Sequence, residues 1–390
     1  MREAATEGWD ELRRLFGGAY PSFVTSWSGN GSERYLPVFT FHTLRPREFS
    51  EQLRHLDRNG FSTVSLRRAA RHLTGGAPAP ERSVVLTIDD GRLSTWTVGM
   101  PLLRRFGMEA TAFVIPGYLE EGARRPTLED GDASGGTGRR LDEHRDRRSM
   151  LRWSEVEALH ESESVRVESH SLTHKRVPVS SRIVGFVPPR PGTALFDLPL
   201  PLEVDPISPA AELFRRPGAP LFEHRPLLAT SRAVDPPRSL IRACVERVER
   251  EGPGRFFRRS DWRRQLLGLV ENTRDGPYRE VETLPWQRRE LRESRDWLER
   301  RLPDKTVTHF CFPSGAGSER TLRLAREEGY ATTCWGFRSG REANRPGASP
   351  YRIERLKHDY LFRLPGEGRR SLGRVLCRKT IRRLRGRTGY

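Results

Sequence analysis

Ser83-Val84-Val85-Leu86-Thr87-Ile88-Asp89-Asp90-Gly91 is the stretch on which the reading of this chain turns. Its first six residues carry no charge, and Val84, Val85, Thr87 and Ile88 are β-branched, so the run reads as a short strand covered on both faces. Strands of that kind belong to parallel sheets packed by helices. The run stops on two neighbouring acids and a glycine. In α/β barrels and open sheets the functional site lies beyond the carboxyl ends of the strands, which puts Asp89 and Asp90 where chemistry is done. One carboxylate of such a pair can hold a metal while the other moves a proton. The plainer reading is a solvated turn, since Asp and Gly favour turns for backbone reasons alone.

Working outward from this strand, a β/α alternation shows on both sides. Before it come a strand over 36–41 that stops at His42, a helix over 48–58 ended by Asn59-Gly60, a short strand over 62–66 and a helix ending near Gly75-Gly76. After it come a helix near 98–106, a strand over 110–115, a helix over 154–160 capped by Ser154, and a strand over 165–168 that runs into His170. Residues 120–148 are rich in Gly, Asp, Glu and Arg and read as a mobile surface loop. The alternation resumes with a helix over 287–302, a strand over 307–312, a helix over 318–328 opened by Ser318, and strands over 331–334 and 351–356. Alternating strands and helices imply a mostly parallel sheet or a barrel.

The segment between the two halves differs. Residues 178–285 hold 16 of the 29 prolines, interrupted by amphipathic pieces over 239–251 and 257–271. We expect an insertion beside the barrel that covers the site as a lid or substrate-binding segment, although a loose spacer fits its first half nearly as well. The domain reading is therefore an N-terminal extension (1–35), a first barrel part (36–177), the insertion (178–285), a second barrel part (286–365) and a basic C-terminal tail (366–390).

Composition narrows the function. The 390 residues carry a formal charge of +18, but only four of the 69 basic residues are lysine, the other 65 being arginine. That skew resembles genome-wide base composition more than selection for phosphate contacts, so no nucleic-acid partner is expected. The dense cluster over 378–387 reads mainly as a solvated tail, with weak contact to an anionic polymer or membrane surface as the functional alternative. The four cysteines lack Cys-x-x-Cys spacing, which argues against a disulfide framework or thiolate metal site. No apolar run approaches the roughly 20 residues of a membrane span. The charged start, Met1 to Glu7, lacks the apolar core of a secretory signal, so a cytoplasmic, possibly membrane-peripheral location is expected.

His170-Ser171-Leu172-Thr173-His174 offers two imidazoles at a spacing that can close on one ion. His42, Asp89-Asp90, His170 and the turn Phe312-Pro313-Ser314-Gly315 each fall directly after an expected strand, and this convergence points to an enzyme. The same residues carry a family resemblance. Thr87-Ile88-Asp89-Asp90-Gly91 resembles the first motif of the polysaccharide deacetylases (NodB-homology, carbohydrate esterase family 4), and His170 to His174 matches their H-S/T-x-x-H motif. Ala110-Thr111-Ala112-Phe113-Val114, Met150-Leu151-Arg152-Trp153 and Phe310-Cys311-Phe312-Pro313-Ser314-Gly315 are similar to supporting segments, the last to the F-A-Y-P-Y-G turn of one branch. Coverage is about 36–177 and 286–365.

The resemblance implies a deformed (β/α) barrel, here with a large Pro-rich insertion, that hydrolyses N-acetyl groups on an amino sugar or polysaccharide precursor. It implies one divalent ion, zinc first with cobalt or nickel as alternatives, held by Asp90, His170 and His174. Asp89 would be the general base that activates the attacking water, and Pro313, Ser314 and Gly315 would bind substrate, with a backbone N–H near Ser314 assisting the oxyanion. His42 is preferred as the general acid over His358 of Leu356-Lys357-His358, because the turn is of the branch that uses an early strand-end histidine. Two positions depart from the pattern. Cys311 stands where R-x-P-F/Y-G has its arginine, and Ser314 replaces the turn's aromatic. The competing readings are a hydrolase of another small amide and a non-catalytic glycan- or anion-binding barrel. A glycosidase is disfavoured, since it needs a separated carboxylate pair rather than a His/His arrangement.

Overall fold

The computed structural model describes residues 11–26, 35–132, 150–190, 195–272, 278–338 and 343–384. Most of the loop expected over 120–148, the first ten residues of the N-terminal extension and the end of the basic cluster at 385–387 lie outside the described residues.

The first barrel part contributes β1 (Val38–Phe41), β2 (Ser62–Thr63), β3 (Ser83–Ile88), β4 (Ala110–Val114) and β5 (Val165–Ser169). The insertion adds β6 (Arg176–Phe186), β7 (Pro220–Pro226), β8 (Arg232–Asp235) and β9 (Arg279–Glu282), and the chain returns to the barrel with β10 (His309–Cys311), β11 (Thr332–Gly336) and β12 (Ile353–Lys357). Seven parallel strands close a ring in the order β1-β12-β11-β10-β5-β4-β3, and β3 pairs back onto β1. The fold is thus the deformed (β/α) barrel expected. β2 is left outside the ring because it pairs with β3 only at Ser83 and Val84, whereas β1 takes the edge of β3 from Val85 onward.

Period-two alternation along β3 fills both sides of the wall. Val84, Leu86 and Ile88 face the helix layer and pack with Phe49, Leu53 and Leu56 of α1 (Pro46–Arg58). Val85 faces the lumen with Val38, Phe113, Cys311, Cys334 and Ile353, where Leu66, Ala69 and Leu73 of α2 (Leu66–Leu73) close the amino-terminal mouth. Removing Phe113 from that dry layer would cost about 3–5 kcal/mol. The lumen is therefore solid at the bottom and turns polar only toward the carboxyl rim, through Thr87 to Asp89.

Two local expectations are corrected. The strand expected over 62–66 ends at Thr63, because the Ser65 hydroxyl accepts the Arg68 N–H and starts α2. Ser154 does not cap the next helix, α3 (Trp153–Glu161): its hydroxyl donates to the Gly122 carbonyl (2.7 Å), while the Glu155 carboxylate accepts the Arg152 N–H (2.9 Å).

In the insertion β6 and β7 form one antiparallel ribbon and β8 and β9 another. α4 (Arg238–Glu251) buries Leu240, Ile241, Cys244, Val245 and Val248 on one stripe, and α5 (Trp262–Asn272) adds Leu266. These residues form apolar clusters distinct from those of the barrel. Lys175 ties the two parts together, its buried ammonium donating to the Leu202 (2.6 Å) and Val204 (2.7 Å) carbonyls. α6 (Leu284–Arg301) and α7 (Glu319–Glu327) then return to the barrel wall.

The described part of the C-terminal segment is not a solvated tail. α8 (Leu372–Leu384) folds back on the barrel: buried Lys379 pairs with Glu11, and Arg382 pairs with Glu48 (3.1 Å) and Asp359. Its cations meet intramolecular acids and its Val375 packs into the barrel's apolar cluster, and both hold the helix down. All four cysteines are free; Cys244, Cys311 and Cys334 are buried and Cys377 is exposed. Among the described residues no helix is long and apolar enough to cross a membrane.

Candidate metal centre

Asp89 and Asp90 follow β3 directly, and the backbone between them reverses. Asp90 has φ +73° and Gly91 φ +72°, so two successive residues sit in the left-handed region. A Cβ at Gly91 would also meet Val114 at 3.2 Å, which leaves glycine as the residue that fits. Ser171, His174 and Ser314 are left-handed as well. Four of the seven non-glycine residues with positive φ among those described therefore lie in the candidate site residues or between them, a clustering of backbone strain that marks functional rims.

The two carboxylates take different hydrogen-bond partners. Asp89 points into the lumen, where the buried Arg355 of β12 donates from Nη1 to its Oδ1 at 2.6 Å and to Thr87 Oγ1 at 3.1 Å. His42 Nε2 lies 3.8 Å from the other oxygen of Asp89. Burial disfavours the charged carboxylate, but the Arg355 guanidinium, then His170 and His42, more than offset it and hold Asp89 well below the usual carboxylate range. Asp90 is held by other groups. Its Oδ1 is 3.6 Å from His170 Nε2, and its Oδ2 accepts from Arg92 Nε (3.1 Å) and Nη2 (3.0 Å).

Asp90, His170 and His174 each offer a ligand atom, all within 4.8 Å of one another, and all three side chains are buried. His170 Nδ1–H donates to the Cys311 carbonyl at 2.8 Å, which fixes the tautomer and leaves Nε2 facing Asp90. The His174 Nδ1 is buried without a hydrogen-bond partner, with Asp197 Oδ1 next to it at 3.5 Å. Burial, and then His170, push the His174 imidazole down to about 3, so it is neutral at neutral pH and its lone pair is available. One carboxylate and two imidazoles, all buried, are the donor set of a divalent metal with open positions. This arrangement fits such an ion.

The other clusters fit one less well. Asp89, His170 and Cys311 also lie within reach of one another, but Asp89 is paired with Arg355, and burial raises the Cys311 thiol well above its ordinary value. Glu48, His358 and Asp359 form a third group, already bridged by the Arg382 guanidinium.

The polysaccharide deacetylase family model matches residues 76–184, which contain β3, the acid pair and both histidines. Over those residues the chain carries a polysaccharide deacetylase domain match. The poly-β-1,6-N-acetyl-D-glucosamine N-deacetylase of Escherichia coli (strain K12) is 30% identical over 131 residues, 34% of this chain and 18% of that protein. A Bacillus subtilis (strain 168) protein named YxkH and described as a polysaccharide deacetylase is 27% identical over 100 residues, 24% of this chain and 36% of that protein. The chain thus matches about a third of one curated relative's length and less than a fifth of the other's. Among solved structures, the deacetylase domain of BpsB from Bordetella bronchiseptica covers 84% of this chain and 96% of its own at 16% identity with a TM-score of 0.48. IcaB from Ammonifex degensii covers 83% and 91% at 18% identity with a TM-score of 0.45.

Within this barrel, the departures from the deacetylase pattern have a structural counterpart. Cys311 occupies the position of the pattern's arginine, and the guanidinium in the site comes instead from Arg355, two strands along the ring. Phe312-Pro313-Ser314-Gly315 packs as a tight turn after β10. Gly315 N–H donates to the Phe312 carbonyl (2.9 Å) and Ala316 N–H to that of Pro313 (3.1 Å). A Cβ on Gly315 would sit 2.4 Å from the Gly336 nitrogen. Proline has no N–H, so the Ser314 amide is the turn's donor without a backbone partner among the described residues. The Ser314 hydroxyl accepts from Arg176 Nη1 at 3.0 Å.

The two candidate histidines part company. His42 lies at the acid pair, 3.8 Å from Asp89, while His358 stacks on Phe41 (5.2 Å, 22°) and bonds Gln52 of α1 at 2.9 Å, in the helix layer outside the wall. Three contributors escaped the sequence reading. Arg355 is one, and Asp197 of the insertion another. The third is buried Glu290 of α6, which accepts the Thr173 N–H at 2.8 Å and the Thr173 hydroxyl, clamping the loop between the two histidines.

Proposed function

We propose that this chain is a metal-dependent N-deacetylase acting on an N-acetylated amino sugar or polysaccharide, with zinc as the ion. The observation that carries the reading is the division of labour between the two acids. Asp90 is grouped with both His170 and His174, whereas Asp89, within reach of His170 alone of the two, is paired with Arg355 and has His42 beside it. Asp90, His170 and His174 would hold the ion. A divalent ion there supplies a Lewis acid that polarises an acetyl carbonyl and makes a water easier to deprotonate.

The remaining chemistry falls to the chain. Asp89 stays ionised at neutral pH through Arg355, so it can accept a proton as water attacks the acetyl carbon. The developing oxyanion is met by the Ser314 N–H at the rim. The sugar nitrogen cannot leave as an anion and needs a proton. Burial pushes His42 down to about 4 against the pull of Asp90 and Asp89, so its imidazole starts neutral. The proton it delivers must therefore be received within the turnover, and Asp89, 3.8 Å away, is the group that holds it.

The test is metal content together with acetate release from β-1,6-linked N-acetylglucosamine oligomers. About one zinc per chain and zinc-dependent acetate release are expected. A chain that binds no divalent ion at near-neutral pH would overturn the reading in favour of a glycan-binding barrel. A chain that binds zinc but deacetylates only small non-sugar amides would overturn the substrate class.

A further inference from the structure

The barrel supplies the ligands of the candidate metal centre, yet one of them faces the insertion. His170 is held from behind by the barrel: its Nδ1–H donates to the Cys311 carbonyl, and its Nε2 is left toward Asp90. His174 has no such carbonyl. Its Nδ1 is buried and orphaned, and the nearest acid is Asp197, whose Oδ1 lies 3.5 Å away. Asp197 does not belong to the barrel; it ends the short helical turn Leu195–Asp197 of the Pro-rich insertion.

The position of Asp197 is fixed by its neighbour. Phe196 is 5% exposed and clusters with Ile115 and Met150 at the rim. Its ring meets the His174 ring edge-on (5.0 Å, 68°), packs on Tyr118 (5.6 Å) and lies under the Arg92 guanidinium (4.9 Å), the same group that holds Asp90 Oδ2. An aromatic anchor with contacts to two sides of the cluster leaves little freedom for the next residue. Metal-bound histidines ordinarily give their second ring N–H to a carboxylate or carbonyl, which sets tautomer and ring angle.

We propose that Asp197 is a positioning residue of the metal centre: it accepts the His174 Nδ1–H and so presents Nε2 to the ion, with Phe196 as its anchor. The insertion then completes the metal site rather than only covering it. This rests on the metal-centre reading above, and the experiment separates the two.

Zinc affinity of the full chain is measured by competition with a chromophoric chelator, and the visible spectrum of the cobalt(II)-substituted chain is recorded, for the native protein, Asp197→Ala and Asp197→Asn. Loss of a partner of this kind weakens metal affinity by roughly 10- to 100-fold, which is expected for Asp197→Ala together with an altered cobalt spectrum. Asp197→Asn keeps an oxygen that can accept from Nδ1–H and should recover most of the affinity and the native spectrum. A third of the Asp197 side chain is exposed, so both variants should fold, and matching melting curves of the metal-free chains check this. Native affinity and spectrum in Asp197→Ala would overturn the proposal while leaving the metal-centre reading standing. Equal losses in both variants would overturn the hydrogen-bonding role. A native chain that binds neither zinc nor cobalt would fell both.

Discussion

The barrel rim and the insertion reach the same few ångströms of space by different means. On the rim, Asp89, Asp90 and His170 follow parallel strands directly, so the register of β3, β5 and their neighbours sets their places, and left-handed backbone at Asp90 and His174 finishes the aim. The insertion is antiparallel, keeps its own apolar clusters, and reaches the site through the Phe196–Asp197 step, with the Lys175 ammonium as a buried tether. Position guaranteed by a closed ring is hard to lose by a single substitution away from the site. Position guaranteed by one aromatic anchor and one buried cation is easier to lose, and that contrast can be tested.

The largest effect should come from the rim. Asp90→Ala removes one of the three proposed ligands, so zinc should be lost and acetate release should fall by at least about 10³-fold, equivalent to several kcal/mol of transition-state stabilisation. Asp89→Asn sharpens the division between the acids: zinc content should stay near native while kcat falls about 10²- to 10⁴-fold, the usual span for a general base. If Asp89→Asn lost zinc, the two acids would share one task.

Arg355→Met breaks the rim's own internal support. It leaves Asp89 buried and unpaired, at a stability cost of roughly 3–5 kcal/mol by thermal or denaturant melting. The sign of the pH effect follows from the same pair. Arg355 holds the folded-state carboxyl below its ordinary value, so that the pair's contribution is present above that value and fades as pH falls. Without the guanidinium the carboxyl rises, and the acidic limb of kcat/KM should move to higher pH; an unmoved limb would remove Arg355 from the mechanism. The smallest effect belongs to the tether. Lys175→Met leaves the Leu202 and Val204 carbonyls without their donor, which should cost about 1–3 kcal/mol and hasten protease cleavage within 178–285.

The sequence announces the rim because strand ends are written in an unbroken apolar run followed by polar letters. Ser83 to Gly91 is such a case, and the closed parallel ring follows from several such runs. Arg355 is not legible, since Ile353-Glu354-Arg355-Leu356 reads as a half-exposed strand, and only ring closure turns that arginine onto Asp89. Glu290 hides in the charge run Arg288-Arg289-Glu290-Leu291-Arg292, indistinguishable from a solvated helix face until α6 packs against the His170–His174 loop. β6 is obscured for another reason. Arg176-Val177-Pro178-Val179-Ser180-Ser181-Arg182 breaks strict alternation with a proline and two serines, and the ladder accommodates this through register shifts between Pro178 and Gly185. Asp197 carries no spacing signal at all, because His174, 3.5 Å from it, lies on the far side of a proline-rich stretch.

The placement of the four cysteines makes the molecule its own reporter of opening. Cys377 is exposed and should react with a thiol reagent at once, while Cys244 sits inside the insertion and Cys311 and Cys334 sit side by side in the barrel lumen. Alkylation followed by peptide mapping would therefore date the loosening of each unit separately: Cys244 tagged before Cys311 and Cys334 would mean that the insertion breathes while the ring stays shut, and simultaneous tagging would mean that the two open as one.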